Sequence, residues 1–207
     1  MDRTGRPDAL LFDVGGVVID IDFQRAIRAW QSISSLSREE LNAAFRCDQE
    51  YERHERGEIS ASSYFDHLAS SLGLRGTHAL IADAWNSIHV GEITETLRMV
   101  QAARSQLPCF AFTNTNATHH AAWSSRFPAV VASFDRIFAS YQLGCRKPEQ
   151  RAFELVAREI GASLDAIVFF DDSAENVEAA HRIGMRAVLV RSPDDIRTAL
   201  ESMDITL

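Results

Sequence analysis

The sequence predicts an α/β protein with a Rossmann-like core, a parallel sheet flanked by helices, and a small helical domain inserted after the first strand. Three observations predict it. Short apolar runs without polar alternation recur along the chain, the pattern of strands covered on both faces. Segments with apolar residues three and four apart lie between most of them, as in repeated β-α units. About ninety helix-patterned residues separate the first run from the second, far more than one crossover helix requires.

The first run is ALLFDV (9–14). The interval after it carries FQRAIRAWQSI, SREELNAAFRCDQEYERHERG, SASSYFDHLASSLG and THALIADAWNSIH. Ser37 with Glu40 matches a capping box, Ser60 an N-cap, and Gly57 and Gly73 helix stops. Asp20 and Asp22 read as turn and N-cap residues where the chain enters this interval. The expected division is a core of residues 1–21 and 89–207 and a helical domain of residues 22–88. The core resumes with a helix, ETLRMVQAARSQ, then strands CFAFTN (109–114), RIFAS (136–140), AIVFFDD (166–172) and RAVLVR (186–191). Pro148 is expected to open the helix after the third of these five strands.

The chain has 207 residues, 46% of them hydrophobic and 24% charged, enough for one sizeable core plus a small insert. A net charge of -8 opposes non-specific nucleic-acid binding, because a polyphosphate would be repelled over most of the surface. It leaves room for a small phosphorylated ligand held by local cations. Cys47, Cys109 and Cys145 lack metal-like spacing and read as reduced thiols, which fits a cytoplasmic protein. No apolar run is long enough to span a bilayer, and MDRTGRPDALL lacks the apolar stretch of a signal peptide, so no membrane partner is expected. A monomer or a dimer is expected. Of 21 basic residues only Lys147 is lysine, so one compact ammonium is kept where a planar guanidinium would serve badly.

Ligands of an open parallel sheet sit beyond the carboxyl ends of its strands. Those ends carry Asp13, then Thr113 and Asn114, then Asp171 and Asp172, while YQLGCRKPE delivers Lys147. Two carboxylates, Asp13 and Asp172, suit a hard divalent ion such as Mg2+. Thr113 and the NTNAT turn at a helix start suit an anion. A carboxylate flanked by a cation, a metal and oriented donors is what an aspartyl-phosphate mechanism needs.

In their order, FDVGGV, FTNT, CRKPE and FFDDSAENV resemble the four motifs of the haloacid dehalogenase-like superfamily, over about residues 9–191. Within it the chain resembles the bacterial phosphatases acting on α-D-glucose 1-phosphate, through DVGGVVIDIDF, HERGEIS, the TNTN turn, LGCRKPE and FFDDSAENVEAA. The resemblance implies a magnesium-dependent phosphatase acting on a small phosphorylated metabolite, with the insert as its cap. Asp13 is then the nucleophile and a metal ligand, together with the Gly15 carbonyl and Asp172, with Asp171 in support. Thr113, Asn114 and Lys147 would hold the phosphoryl group. The cap loop would contact the rest of the substrate through His54, Glu55 and Arg56, although EYERHER also fits a charged helix face.

The sequence departs from most such phosphatases at Gly15, where they carry the aspartate that protonates the leaving group. Three explanations are open: a leaving group that needs little protonation, a donor in the cap at His54 or Glu55, or an absence of hydrolysis. A 2-haloacid dehalogenase, which also lacks that aspartate, and a non-hydrolytic sugar-phosphate-binding protein are the alternatives. His119 and His120 read equally as supporting residues or helix surface. Trp30, Trp85 and Trp123 read as packing residues, with Trp123 at the pocket edge. Glu175 complements a helix N-terminus, and Asn176 can brace the site.

Overall fold

The structure is a computed structural model and describes residues 5–207. The first four residues of the expected 1–21 segment lie outside the described residues. The core strands are β1 (Ala9–Phe12), β4 (Cys109–Thr113), β5 (Arg136–Ala139), β6 (Ile167–Asp171) and β7 (Arg186–Leu189), and β2 (Ile19–Ile21) and β3 (His89–Glu92) form a separate pair. Helices α1 (Phe23–Gln31), α2 (Arg38–Ala44), α3 (Gln49–Glu55), α4 (Ala61–Ser71) and α5 (His78–Asn86) lie between β2 and β3. The remaining helices are α6 (Thr94–Arg104), α7 (Ala117–Arg126), α8 (Pro128–Ala132), α9 (Ser140–Leu143), α10 (Gln150–Ile160), α11 (Ala174–Arg182) and α12 (Pro193–Ser202).

The five core strands form one parallel sheet in the order β5-β4-β1-β6-β7. Alternate residues of its buried strands enter different cores. Leu10, Phe12, Ala111, Val168 and Phe170 pack with Leu97, Val100, Ile196 and Leu200 of α6 and α12. Leu11, Phe112, Ile167 and Phe169 pack with Phe153, Val156, Ala179 and Ala180 of α10 and α11. Both faces being covered explains the continuous apolar runs. Because β4 and β6 flank β1 on opposite sides, the chain reverses direction across the sheet at β1, which places a crevice at the carboxyl ends of these three strands.

Helices α1–α5 have a third core of their own, centred on the stacked Trp30 and Trp85, whose ring centroids lie 5.4 Å apart. Ser37 and Glu40 form the capping box, Ser60 caps α4, and Asp22 caps α1 through the Gln24 N–H. The long SREELNAAFRCDQEYERHERG segment divides into α2 and α3. Phe45 turns extended, and the Asp48 carboxylate restarts the helix by accepting from Tyr51 N–H.

Two expectations are corrected. Asp20 lies in β2, paired with Gly91 of β3, because the short ribbon tying the insert to the core recruits it as a strand residue. Helix α10 opens at Gln150 with Glu149 as its N-cap, so Pro148 precedes the helix. All three cysteines are free, Cys109 and Cys145 buried and Cys47 exposed. Among the described residues no helix is long and apolar enough to cross a membrane.

Candidate active site

Asp13 leaves β1 with its N–H donated to Phe170 O at 2.8 Å, which ties the strand end to β6. Its Oδ1 accepts from Val14 N–H at 2.7 Å and from Lys147 Nζ at 2.9 Å. Among the described residues Oδ2 has no hydrogen bond, so one carboxylate oxygen is held and the other is available. Lys147 is buried and donates to Asp13 Oδ1, to Asp171 Oδ2 at 2.6 Å and to Phe112 O at 2.8 Å. Three acceptors around one nitrogen match an ammonium and would not match a planar guanidinium. All three hydrogens are engaged by these acceptors, so Lys147 fixes Asp13.

Asp171 is fully buried, and both of its oxygens are occupied. Ser173 N–H and Asn176 Nδ2 donate to Oδ1, while Asn176 and Lys147 donate to Oδ2. Asp172 is exposed and remains open to a ligand. Ligand atoms of Asp13, Asp171 and Asp172 lie within 4.8 Å of one another. Burial raises the Asp13 carboxyl to about 7, Lys147 opposes that rise, and Asp171 and Asp172 add to it. Partial desolvation of the carboxylate by its surroundings, and then the charge of Asp171, raise Asp172 in the same direction. Burial opposes the charge of Lys147, but Asp13 and Asp171 outweigh it and raise its pKa. Three hard carboxylates against one ammonium leave an excess of negative charge, so the donor set fits a divalent cation such as Mg2+ at Asp13 and Asp172.

The two glycines after Asp13 have separate steric reasons. Gly16 adopts φ +76°, and a Cβ there would overlap the Asp172 carboxylate, so a side chain at this position would displace that carboxylate. A Cβ at Gly15 would lie 3.3 Å from Ile21 Cγ1, so a side chain there would require Ile21 to shift by a few tenths of an ångström.

Thr113 ends β4, and Asn114 to Asn116 lead into α7, whose N-cap Asn116 accepts from His119 N–H. Thr113, Asn114 and Thr115 line a crevice of about 340 Å3 together with Gly15, Gly16 and Asp172. Amide groups at the start of α7 favour an anion here. The Asn114 side chain accepts from Lys147 N–H and donates to Lys147 O, at 2.9 and 2.8 Å. It therefore latches the Lys147 loop to β4, a task not evident from its place in the motif.

The three cap positions have different surroundings. Glu55 is buried, lines the crevice and accepts from Arg146 Nε at 2.9 Å, which joins α3 to the core. Arg56 pairs with Glu149 at 2.6 Å and Glu52 at 3.0 Å, and it does not line the crevice. His54 points into the helical core instead, stacked on Tyr64 at 4.4 Å, and burial lowers its pKa to about 4. The structure therefore does not bring His54 to the crevice as a proton donor. Gly57 ends α3 at φ +69°, where a Cβ would press on the Tyr141 carbonyl, so the cap meets α9 in close contact.

Trp123 lines the crevice, as its expected place at the pocket edge requires, and so does His119; Asp20, Tyr51 and His89 line it as well and were not legible as such. His119 is buried, its Nδ1 2.8 Å from Asn86 Oδ1, and its ring lies against Trp85 and His89. Neighbouring His120 instead faces Tyr141 O–H, 3.1 Å from its Nδ1. The adjacent HH pair gives no sign of which ring turns inward, since only the docking of α5 on α7 decides it.

Comparison with known proteins places this geometry among relatives. The chain is 29% identical over 206 residues to sesquiterpene phosphatase astK of Aspergillus oryzae, covering 93% of each protein. It is 22% identical over 196 residues to D-ribitol-5-phosphate phosphatase of Bacteroides thetaiotaomicron, covering 92% of this chain and 95% of that one. Over 70 residues it is 37% identical to drimenol cyclase drtB of Aspergillus calidoustus, but spans only 13% of that protein. Among solved structures, a HAD family enzyme of Bacteroides thetaiotaomicron in complex with magnesium and inorganic phosphate superposes with TM-score 0.80 at 27% identity, over 89% of this chain and 94% of that one. The haloacid dehalogenase-like hydrolase model matches residues 7–184, and the chain belongs to that family.

Proposed function

We propose that this protein is a magnesium-dependent phosphomonoesterase that hydrolyses a small sugar or polyol phosphate through a phosphoaspartyl intermediate on Asp13. The observation that carries the reading is the division of labour at Asp13. Oδ1 is fixed by Val14 and Lys147, while among the described residues none hydrogen-bonds Oδ2. Magnesium bound at Asp13 and Asp172, with the Gly15 carbonyl as a further oxygen, would neutralise charge on the phosphoryl oxygens. Asp13 Oδ2 attacks phosphorus as the bond from phosphorus to the ester oxygen breaks, and that oxygen leaves as an alkoxide that takes a proton from water. Water then attacks the phosphoaspartate, releasing phosphate and regenerating the carboxylate. Thr113 and the backbone amides after it orient the phosphoryl group, Asn114 holds Lys147 in place, and Lys147 holds Asp13. The helical unit of residues 22–88 acts as a cap, and its closure excludes water from the nucleophile.

Relatives named for phosphatase activity and a neighbour binding magnesium and phosphate support this reading. Glucose 1-phosphate is the specific substrate proposed, because an anomeric oxygen leaves with little protonation and Gly15 supplies none. Of the two cap candidates for a proton donor only Glu55 lines the crevice, and its carboxylate is engaged by Arg146, so the reading rests on the leaving group. Gly15 also motivates a dehalogenase or a non-hydrolytic binding reading. Phosphate release from a panel of sugar phosphates, with and without magnesium, separates all three. Release that needs magnesium and disappears in Asp13→Asn is expected. Dehalogenation that ignores chelator, or phosphate-ester binding without release, would replace the proposal.

A further inference from the structure

Beyond the phosphate end the crevice is lined by apolar side chains, among them Ile21, Phe23, Ile88 and Trp123, with a few polar groups set between them that would meet the part of the substrate that leaves. Among the described residues no arginine or lysine lines the crevice. Its ionisable groups away from the metal cluster are Asp20, Tyr51, Glu55, His89 and His119. Asp20 and Glu55 are carboxylates, and Tyr51 lies against Glu55. The two histidines are held as acceptors as well. His89 Nδ1 is 3.0 Å from the Asn86 carbonyl and His119 Nδ1 is 2.8 Å from Asn86 Oδ1. Both of those oxygens can only accept, so each ring carries its proton on Nδ1 and presents a lone pair at Nε2. His119 Nε2 is buried with no hydrogen-bond partner. Burial lowers the pKa of each ring, which keeps both neutral.

A buried acceptor without a donor is costly, and a ligand hydroxyl would satisfy it. A ligand carboxylate or second phosphate would instead meet lone pairs and two carboxylates, and the cation beside them, Arg146, lies outside the lining and is already paired with Glu55 and Glu52. We propose that the crevice selects phosphomonoesters whose leaving group is uncharged and hydroxyl-bearing, and rejects those whose leaving group is an anion, with His119, Asp20 and Glu55 as the specificity-determining residues. This rests on the phosphatase reading and narrows its substrate class.

Two pairs of nearly isosteric esters test it: glucose 1-phosphate against glucuronic acid 1-phosphate, and glycerol 3-phosphate against 3-phosphoglycerate. Each is measured as a competitor of p-nitrophenyl phosphate hydrolysis, so a value is obtained whether or not it turns over. The neutral member of each pair should compete at about 10-fold or more lower concentration than its acid, the scale of one unpaired like-charge contact. Asp20→Asn combined with Glu55→Gln should narrow that ratio at least about threefold, and a ratio within one preparation does not depend on the folded fraction. His119→Leu should weaken the neutral member more than the acid. Acids that compete as well as or better than the neutral esters would overturn the inference while leaving the phosphatase reading intact. An unchanged ratio in the variants would remove these residues as its source. Failure of the wild type to hydrolyse p-nitrophenyl phosphate would overturn the phosphatase reading and this inference with it.

Discussion

At Lys147 one side chain explains an oddity of composition. It is the single lysine of the chain, and its three hydrogens meet three oxygens that converge on one point. Replacing it by methionine leaves Asp13 and Asp171 buried without their cation, which should destabilise the protein by about 3–5 kcal/mol in urea unfolding. Lys147→Arg should not restore the loss, because a planar fork cannot reach the same three acceptors. A cost below about 1 kcal/mol for either variant would contradict the assigned geometry. Asp13 gives a pH signature. Folding raises its pKa from 3.8 to about 7, so the folded protein holds the proton more tightly than the unfolded chain. This contribution to stability is present below pH 4 and is lost as pH rises through about 7. Magnesium favours the charged form, so it should raise Tm more at pH 8 than at pH 5. Equal increments would argue against a cation at Asp13.

At the scale of elements, α3 divides its side chains between two environments. His54 faces the cap core, and Glu55 faces the crevice. Burial lowers the His54 pKa from 6.5 to about 4, so its neutral form stabilises the fold above pH 6.5, and that stability is lost as pH falls through about 4. His54→Phe keeps an aromatic ring on Tyr64 and removes the titration. Acid unfolding of this variant should therefore be shallower between pH 6.5 and 4, by up to about 3 kcal/mol. A profile parallel to that of the wild type would mean that His54 is solvated. The bridges Arg56–Glu149 and Arg146–Glu55 tie α3 to the core. Glu149→Ala should cost about 1 kcal/mol or less, since Arg56 and Glu149 are partly exposed and Arg56 retains Glu52, and a loss above about 2 kcal/mol in urea unfolding would contradict that.

Across the whole molecule, the sheet and the helical insert were readable because both depend on local pattern. Buried parallel strands appear as apolar runs, and the capping residues Ser37 and Ser60 mark helix starts by their own hydrogen bonds. The closeness of Asp13, Asp171 and Asp172 was readable because strand ends converge in any open parallel sheet. The ribbon of β2 and β3 was not, since the three residues IDI gain strand character only from a partner about seventy residues away. The leaving-group wall was hidden for the same reason. It is assembled by docking α3, α5 and the ribbon against α7, and no short motif encodes those contacts.

In the proposed reaction Asp13 forms the bond to phosphorus. The most direct test is peptide mass spectrometry of protein quenched in acid during steady-state hydrolysis of glucose 1-phosphate or p-nitrophenyl phosphate with magnesium. The peptide containing Asp13 should carry one phosphoryl group in the wild type, lose it on treatment with hydroxylamine, and be unmodified in Asp13→Asn. Phosphate release by the wild type with Asp13 never phosphorylated, or undiminished release by Asp13→Asn, would contradict the account.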